Sequence, residues 1–205
     1  FSVAYNFSVI KNKMTELNGV DYIGLSSSEL HGRNFDQETS RSAVGQPIGS
    51  FFVYEADGLF QSDAEIQNYK NDRGELLQPN AKPGDIRFKD LNGDGVINSD
   101  DRDFKGNPLP DCSMGLTLGF NYKNFDVSAF FQGVFGNEVY NLTNYLGEFY
   151  NQAQYNKNST ILDAWRPDNT DTDIPRVTLD DPNNNIRPST YYIHNASFVR
   201  LKNLK

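Results

Sequence analysis

A run of oxygen-bearing side chains from Asp90 to Asp101 is the one segment whose residue types and spacing specify a chemistry. Ca²⁺ takes six to eight oxygen ligands, and a twelve-residue loop supplies them from positions one, three, five, seven, nine and twelve. Here those positions hold Asp90, Asn92, Asp94, Val96 through its backbone carbonyl, Asn98 and Asp101. Gly95 at position six permits the sharp turn that such a loop needs. The spacing predicts a structural calcium site that orders its own loop.

The loop departs from the usual calcium-binding template in two respects. Position twelve is Asp101, whose side chain is shorter than the usual Glu. Residues 84–89 have an extended pattern, and Gly106, Pro108 and Pro110 exclude a long helix after the loop. The segment is therefore closer to a dockerin-like loop in a β setting than to an EF-hand sensor. A metal-free turn is the alternative, because Asn, Asp and Gly form tight turns without a cation.

No residue pattern indicates a catalytic site. His31 and His194 are the only histidines and lie far apart in sequence, and there is no nucleophile elbow, phosphate loop or HExxH motif. With 27 Asp and Glu residues, chance pairs of carboxylates are unavoidable, so solvated loop charges explain them better than a hydrolase. Trp165 is a candidate for stacking on a sugar ring from an outer loop, although such a Trp more often anchors its own loop. We predict no catalytic residue and no enzyme activity.

The composition favours strands with many aromatic side chains over a soluble enzyme. Hydrophobic residues are 37% and aromatic residues 13% of the 205, with 15 Phe and 11 Tyr. Membrane strands with aromatic girdles have this bias. The net charge of −8 argues against a nucleic-acid partner, because phosphate binding needs clustered Lys and Arg. Cys112 is the only cysteine, which excludes an internal disulfide. No apolar run reaches the length of about 18 residues that indicates a transmembrane helix.

Two segments alternate apolar and polar residues with the period of a β-strand. Residues 1–9 carry Phe, Val or Tyr at every odd position. Residues 114–122 and 125–132 alternate in the same way on either side of a tight turn at residues 123–124. Each arm has about the length that crosses a membrane in a β-barrel. A soluble, half-buried hairpin would show the same period, so periodicity alone leaves both open.

Weaker patterns predict the remaining elements. We expect strands at residues 48–54 and 198–205, a helix at residues 63–69 capped by Ser62 with Glu65 completing a capping box, loop at residues 26–47, and turns at residues 71–85. Apolar residues at helical spacing between Val139 and Phe149 predict a helix, either across a barrel mouth or, preferably, against neighbouring loops.

The unequal lengths of the connections predict which of them lie outside the cell. The turn at residues 123–124 is minimal, whereas the connection after Phe135 runs for roughly fifty residues, and bacterial barrels pair short periplasmic turns with long extracellular loops. Residues 84–112, with the calcium loop, and residues 136–190 are therefore predicted outer loops. The chain also begins and ends within strand patterns, which predicts a piece of a longer polypeptide.

Five collinear blocks resemble one family, the SusC/RagA-type TonB-linked outer-membrane proteins. The blocks are Pro47–Phe52 with Asp57–Gln61, Lys82–Asn98 with Gly106–Pro108, Gly119–Asn137, Trp165–Pro167 through Asp173–Arg176, and Ala196–Asn203. Together they cover nearly the whole chain, whereas Cys112 and the loops at residues 26–46 and 180–188 match nothing in the family.

The resemblance implies an all-β fold, with residues 1–205 forming a C-terminal-half segment of a transmembrane antiparallel barrel of about 22 strands, with long outer loops and short loop helices. It further implies import of oligosaccharides or peptides across the bacterial outer membrane, a SusD-like surface lipoprotein as partner, and energy from TonB through a part of the protein outside this chain. The strands would contact outer-membrane lipid. It assigns no individual substrate-binding residue, and outer-loop aromatic residues such as Trp165 and Tyr145 are candidates only.

Two other classes of protein remain open at this point. A soluble calcium-stabilised β-rich module, such as an adhesin or binding domain, would cover the apolar faces of residues 1–9 and 114–131 with protein. A barrel segment would leave those faces uncovered for lipid. A secreted glycan hydrolase would need paired carboxylates with perturbed pKa values in a cleft, for which the sequence gives no sign.

Overall fold

The computed structural model describes residues 1–26, 38–149 and 156–205, and most of its regular structure is antiparallel β-sheet. The strands are β1 (Ser2–Val9), β2 (Tyr22–Ser26), β3 (Glu38–Ala43), β4 (Ser50–Tyr54), β5 (Ala56–Leu59), β6 (Ile86–Phe88), β7 (Arg102–Phe104), β8 (Cys112–Tyr122), β9 (Phe125–Phe135), β10 (Glu138–Tyr140), β11 (Ile193–Asn195) and β12 (Phe198–Leu204). The helices are α1 (Asp63–Asn68) and α2 (Leu142–Glu148), with 3₁₀ turns at Ser99–Asp101, Ser159–Asp163 and Thr190–Tyr192. Within the described ranges, no helix has the length and apolarity to cross a membrane.

The longest sheet, called the long sheet below, has the strand order β1-β8-β9-β12. Its centre is the hairpin of β8 and β9, two strands of 11 residues each, paired without interruption from Tyr122↔Phe125 to Cys112↔Phe135. Lys123 has a φ of 53° in the two-residue turn, which is the left-handed conformation that tight hairpins use. The predicted hairpin is confirmed, and both arms are slightly longer than predicted. The predicted strands at residues 1–9 and 198–205 are its outer strands.

A second sheet has the order β2-β3-β4-β7, and the prediction of loop for residues 26–47 is wrong for part of it. β3 occupies residues 38–43 of that range, and residues 27–37 lie outside the described residues. The guanidinium of Arg41 on β3 lies between two rings, 3.9 Å from that of Tyr22 and 3.7 Å from that of Phe52. It also forms an ion pair of 2.7 Å with Glu38. These cation–π contacts join β3 to its two neighbouring strands. β3 itself has the sequence ETSRSA, which has no hydrophobic alternation.

Residues 50–104 and the described residues of 138–195 pack together into one body, called the loop body below. Its core is aromatic and aliphatic, with Val53, Phe60, Ile86, Phe88 and Tyr192 almost fully buried. The predicted helix α1 buries Ile66 here. Ser62 caps it by accepting the N–H of Glu65 at 3.3 Å, but the Glu65 carboxylate accepts the N–H of Gln61 instead of that of Ser62, so the predicted capping box is only half formed.

The second predicted helix is confirmed as α2, which packs against neighbouring loops of the loop body. Tyr145 on α2 and Phe149 after it lie with their ring centroids 6.3 and 6.0 Å from that of Tyr192. The helix is shorter than the spacing from Val139 to Phe149 suggests, because Val139 belongs to β10 and pairs with His194 on β11. The residues predicted to form the first turn of the helix therefore belong to a strand.

Candidate functional site

One side of the long sheet is almost entirely apolar. Paired residues of antiparallel strands lie on the same side of a sheet, so the register assigns each side chain to a side. The apolar side, with Gly133, comprises Val3, Tyr5, Phe7, Val9, Cys112, Met114, Leu116, Leu118, Phe120, Tyr122, Phe125, Val127, Ala129, Phe131, Phe135, Val199, Leu201 and Leu204. All four strands contribute, so the surface is continuous across the sheet.

No segment among the described residues covers this apolar side. Phe7 is 53% exposed, Phe125 72% and Leu201 52%, although they lie on three different strands. Burying one such side chain stabilises a folded protein by roughly 1.5–3 kcal/mol. Here no described segment of the chain buries these side chains. The side chains instead contact one another along their own strands, as in the stacked rings of Tyr5 and Phe7 with centroids 6.4 Å apart. The surface has the chemistry of a lipid-facing band.

The opposite side of the long sheet is small and mostly polar. It carries Ser2, Ala4, Asn6, Ser8, Ser113, Gly115, Thr117, Gly119, Asn121, Asp126, Ser128, Phe130, Gln132, Val134, Phe198, Arg200 and Asn203. Gly115 leaves room for a neighbour, since a Cβ there would lie 2.8 Å from Oδ1 of Asn6. A Cβ at Gly119 would likewise lie too close to the hydroxyl of Ser2. Such a side suits an aqueous interior rather than a packed core.

All long connections leave the long sheet at one end. β1 ends at Val9 and β8 begins at Cys112, which pair with each other, and the loop body connects them. The connection from β9 to β12 starts at Phe135, which pairs with Cys112 at the same end. The two-residue turn after Tyr122 closes the opposite end. The loop body therefore lies beyond the end of the sheet where long outer loops are expected.

The loop body closes around Gly84, which has a φ of +88° and no space for a side chain. A Cβ at Gly84 would lie 2.5 Å from the Trp165 ring and 2.8 Å from Cβ of Arg176. Backbone hydrogen bonds run from the N–H of Gly84 to the carbonyl of Phe60 at 2.7 Å and from the N–H of Arg176 to the carbonyl of Gly84 at 2.9 Å. Three segments distant in sequence thus meet at this glycine.

A buried polar network extends from this contact. The fully buried Asp85 carboxylate forms two hydrogen bonds with the Arg176 guanidinium, of 2.6 and 3.2 Å, and accepts a third from Asn185 at 2.9 Å. Asn185 in turn accepts the N–H of Ile86 at 2.9 Å. Burial raises the pKa of the nearby Asp181 carboxyl, which accepts the N–H groups of Asn185 and Ile186. These carboxylates hold the loops together, since their partners are protein groups.

The two aromatic residues considered for substrate contact have structural partners in the loop body. Trp165 is only 8% exposed, and its Nε1–H donates to Oε1 of Gln61 at 2.9 Å. Tyr145 is packed against the core. Trp165 is therefore a structural anchor, but its side chain joins its loop to Gln61 and Gly84, which are distant in sequence, whereas the prediction was an anchor within its own loop.

The predicted calcium loop is held by its own side chains. Asp90 accepts the N–H groups of Gly93 and Gly95 at 2.7 and 2.8 Å. The fully buried Asp101 accepts the N–H groups of Leu91 and Asn98, both at 2.8 Å. These bonds place the two terminal aspartates against the backbone, in the manner of capping residues.

The other middle positions of the loop, Asn92, Val96 and Asn98, are linked to Asp94 by hydrogen bonds. Its Oδ2 accepts hydrogen bonds from the side-chain amides of Asn92 at 3.0 Å and Asn98 at 3.3 Å. The amide of Asn98 also donates to the carbonyl of Val96 at 3.4 Å. The N–H of Val96 and the amide of Asn92 lower the pKa of the Asp94 carboxyl, because both stabilise its charged form.

The oxygen-bearing residues of this loop are of the types that bind a hard cation. In the present geometry, however, only some of the six ligand positions lie together. Asn92, Asp94, Val96 and Asn98 lie together, and the oxygens of Asp90 keep free lone pairs beside their hydrogen bonds. Among the described residues, no three carboxylate, imidazole or thiol side chains lie close enough to hold a metal ion jointly. Calcium binding stays a prediction, in which the Asp90 and Asp101 carboxylates would turn toward Asp94.

The ion pair between Asp85 and Arg176 and the cation–π contacts of Arg41 are interactions that residue patterns did not reveal. Asp85 and Arg176 do fall in two of the blocks that carry the family resemblance, at Lys82–Asn98 and Asp173–Arg176. The occurrence of both blocks in one sequence was the signal that could have linked Asp85 to Arg176. Nothing local connects residues 91 positions apart.

Sequence comparison gives relatives along the whole chain, although no protein-family profile matches. TonB-dependent receptor P3 of Formosa agariphila is 37% identical over 204 residues, covering 100% of this chain and 19% of the relative. A second TonB-dependent receptor of that organism is 36% identical over 195 residues, covering 95% and 18%. TonB-dependent receptor SusC of Bacteroides thetaiotaomicron is 27% identical over 208 residues, covering 100% and 18%. The chain thus spans about a fifth of the length of these relatives.

Solved structures have the same fold. The RagAB peptide transporter superposes with a TM-score of 0.65 at 24% identity, covering 98% of this chain and 20% of that one. The RagAB peptide importer in its "open-open" state gives 0.66 at 22% identity, covering 98% and 19%. At this identity the likeness concerns the fold alone.

We expect Gly84→Ala to destabilise the loop body far more than Gly74→Ala. Both glycines have a left-handed φ, +88° and +81°, but a Cβ at Gly74 would meet nothing within 4 Å. The left-handed strain costs about 1–2 kcal/mol at either position, and overpacking against Trp165 and Arg176 adds about 1–3 kcal/mol at Gly84. Hydrogen exchange of the buried amides of Ile86 and Phe88 in the intact receptor measures this loss. Equal effects of the two substitutions would contradict the packing described.

Proposed function

Because the chain belongs to the TonB-dependent receptors, a family of the outer membrane, we propose that it forms part of the closed β-barrel of a nutrient importer. The observation that carries this proposal is the continuous, uncovered apolar side of the long sheet. In a membrane every backbone polar group must be paired, which a closed barrel achieves without a free edge. In the complete receptor, the outer edges of β1 and β12 would pair with further strands.

The uncovered side weighs against a soluble calcium-stabilised module. A soluble module would need protein over Phe7, Phe125 and Leu201, all more than half exposed. The hydrolase alternative lacks support as well. The buried carboxylates of Asp85 and Asp181 are bonded to an Arg side chain and to backbone N–H groups, an arrangement that holds loops in place.

The cargo and the partners of this importer follow from the family rather than from any side chain of the chain. We propose oligosaccharides or peptides as cargo, a SusD-like lipoprotein over the outer face, and coupling to TonB through a part of the receptor outside this chain. The long sheet supplies barrel wall, with its small polar side toward the interior. The loop body, which lies beyond its outer end, supplies surface for the lipoprotein and the cargo.

We also propose that Ca²⁺ binds the loop from Asp90 to Asp101 in a structural role. The side chains of Asn92 and Asn98 lie against the Asp94 carboxylate, to which their amides donate, and this grouping supports the proposal. A cation would offset the negative charge of three aspartates. The loop is held to another segment of the loop body, since the Asn71 side-chain amide donates to the carbonyl of Gly95 at 3.2 Å. An ordered calcium loop would thereby stiffen the outer surface.

A lysine on the apolar side of β8 should block barrel assembly, whereas a lysine at the next residue should not. Leu116 pairs with Tyr5 and Phe131 on the apolar side, while Thr117 pairs with Ala4 and Phe130 on the other. A lysine facing lipid near the midplane costs about 2–4 kcal/mol, but one facing the interior is hydrated. Leu116→Lys in the intact receptor should lower the heat-modifiable, folded fraction in outer membranes, and Thr117→Lys should leave it near wild type. The reverse order would overturn the assignment of sides.

Uptake measurements test the import role directly. A strain that lacks the receptor should lose uptake of one labelled class, oligosaccharide or peptide, and regain it with the plasmid-borne receptor but not when TonB is also deleted. The tagged receptor should copurify a SusD-like lipoprotein. Unchanged uptake of every labelled oligosaccharide and peptide by the deletion strain would contradict the import role.

Calcium should protect residues 84–105 of the intact receptor from proteolysis. Ordering of the loop removes the extended conformations that proteases need. Asp94→Asn should abolish the protection, whereas Asp171→Asn, an exposed aspartate elsewhere in the loop body, should retain it. Mass spectrometry of timed digests with calcium and with a chelator reports the cleavage sites. Identical digests under the two conditions would rule out a structural role for calcium.

A further inference from the structure

The geometry at the outer end of β1 points to a binding site for a lipid phosphate, formed by Lys11 and Lys13. We propose that these lysines hold the phosphorylated headgroup of an outer-leaflet glycolipid against the barrel wall. The inference rests on the proposed function, because it requires the apolar side of the long sheet to face lipid.

The two lysines lie directly after the strand at the edge of the long sheet. β1 ends at Val9, and its odd-numbered residues Val3, Tyr5, Phe7 and Val9 lie on the apolar side. Lys11 and Lys13 follow within four residues of the end of the strand, and both are exposed. In a membrane, residues just past the apolar band reach the headgroup level, where Lys side chains are favoured.

The backbone that carries the lysines is fixed from both sides. The N–H of Ile10 donates to the carbonyl of Asp111 at 2.9 Å, and the N–H of Met14 donates to the carbonyl of Gln46 at 2.8 Å. Between these bonds, Oδ1 of Asn12 accepts the N–H of Ile48 at 2.9 Å. The alternate residues are thus tethered to the loops, and the two lysines lie between the tethers. This arrangement reduces the conformational entropy that binding would cost.

A cavity of about 350 Å³ adjoins the lysines. Its lining includes both lysines, the amide-bearing Asn12 and Asn107, and the apolar Ile10 and Leu109. A phosphorylated sugar carrying acyl chains offers matching chemistry, with anionic oxygens for the ammonium groups, hydroxyls for the amides and hydrocarbon for the apolar side chains.

The charge balance favours an anion. Within the described part of the chain, neither Lys11 nor Lys13 forms an ion pair with an acidic side chain. Asp111 also lines the cavity, but its carboxylate lies against Gly136 in the turn after β9. The cavity lining therefore carries two unpaired ammonium groups and one carboxylate, although the whole chain has a net charge of −8. A local positive site on an acidic protein is the expected signature of a specific anionic ligand.

Binding of diphosphoryl lipid A to the purified intact receptor in nanodiscs tests the proposal. We expect Lys11→Gln/Lys13→Gln to weaken binding by roughly thirty-fold, since each lysine near a charged headgroup contributes about five-fold. Lys11→Arg/Lys13→Arg should bind like wild type. Lys70→Gln/Lys82→Gln removes the same charge from two exposed lysines of the loop body and should also bind like wild type. Native mass spectrometry counts the bound lipid in each variant.

Three outcomes would overturn this inference. They are equal binding by wild type and Lys11→Gln/Lys13→Gln, equal binding of dephosphorylated lipid A, and full competition by millimolar inorganic phosphate, which would assign the lysines to a free anion. Heat-modifiable migration of the same samples reports whether the receptor is a folded barrel. A folded barrel that fails these comparisons refutes the lipid site alone. A receptor that forms no membrane barrel refutes the proposed function, and the lipid site with it.

Discussion

Uninterrupted pairing of β8 with β9, extended by β1 and β12, puts a row of large apolar side chains on one side of a four-stranded sheet. Because side chains alternate along a strand, the register that pairs the backbone also fixes which side chains face together. A shift by one residue would mix Leu116 and Phe131 with Thr117 and Gln132. Among the described residues, none covers the apolar side, and the chain spans about a fifth of the length of its relatives. The position of the loop body follows from the same strand pairing.

The loop body depends on the long sheet for its position but not for its core. Its chain enters from Val9 and leaves to Cys112, two residues that pair with each other, so its ends are held a strand spacing apart. Its own cohesion comes from an aromatic cluster around Tyr192 and from the close contact at Gly84. A surface assembled this way has a stable scaffold that carries loops, and binding residues of proteins are commonly found on such loops.

Sequence patterns predicted the elements that local chemistry specifies. The strands of the long sheet follow from period-two alternation and its hairpin from a short polar turn, and α1 follows from the cap at Ser62. β3 was missed because its sequence ETSRSA lacks apolar alternation, and it is held by pairing with β2 and β4 and by Arg41 between the rings of Tyr22 and Phe52. The predicted metal loop has its middle positions grouped around Asp94, whereas hydrogen bonds to backbone N–H groups, which residue spacing does not specify, hold Asp90 and Asp101.

The orientation of β8 in the membrane is the most direct test of the whole account. Single nitroxide labels at residues 113, 114, 116, 117 and 118 of the intact receptor, in a Cys112→Ser background, report access to oxygen dissolved in lipid and to a water-soluble nickel chelate. Labels at Met114, Leu116 and Leu118 should favour oxygen, and labels at Ser113 and Thr117 should favour the chelate. Access to the chelate at Leu116 equal to that at Thr117 would contradict a lipid-facing sheet and, with it, the proposed barrel.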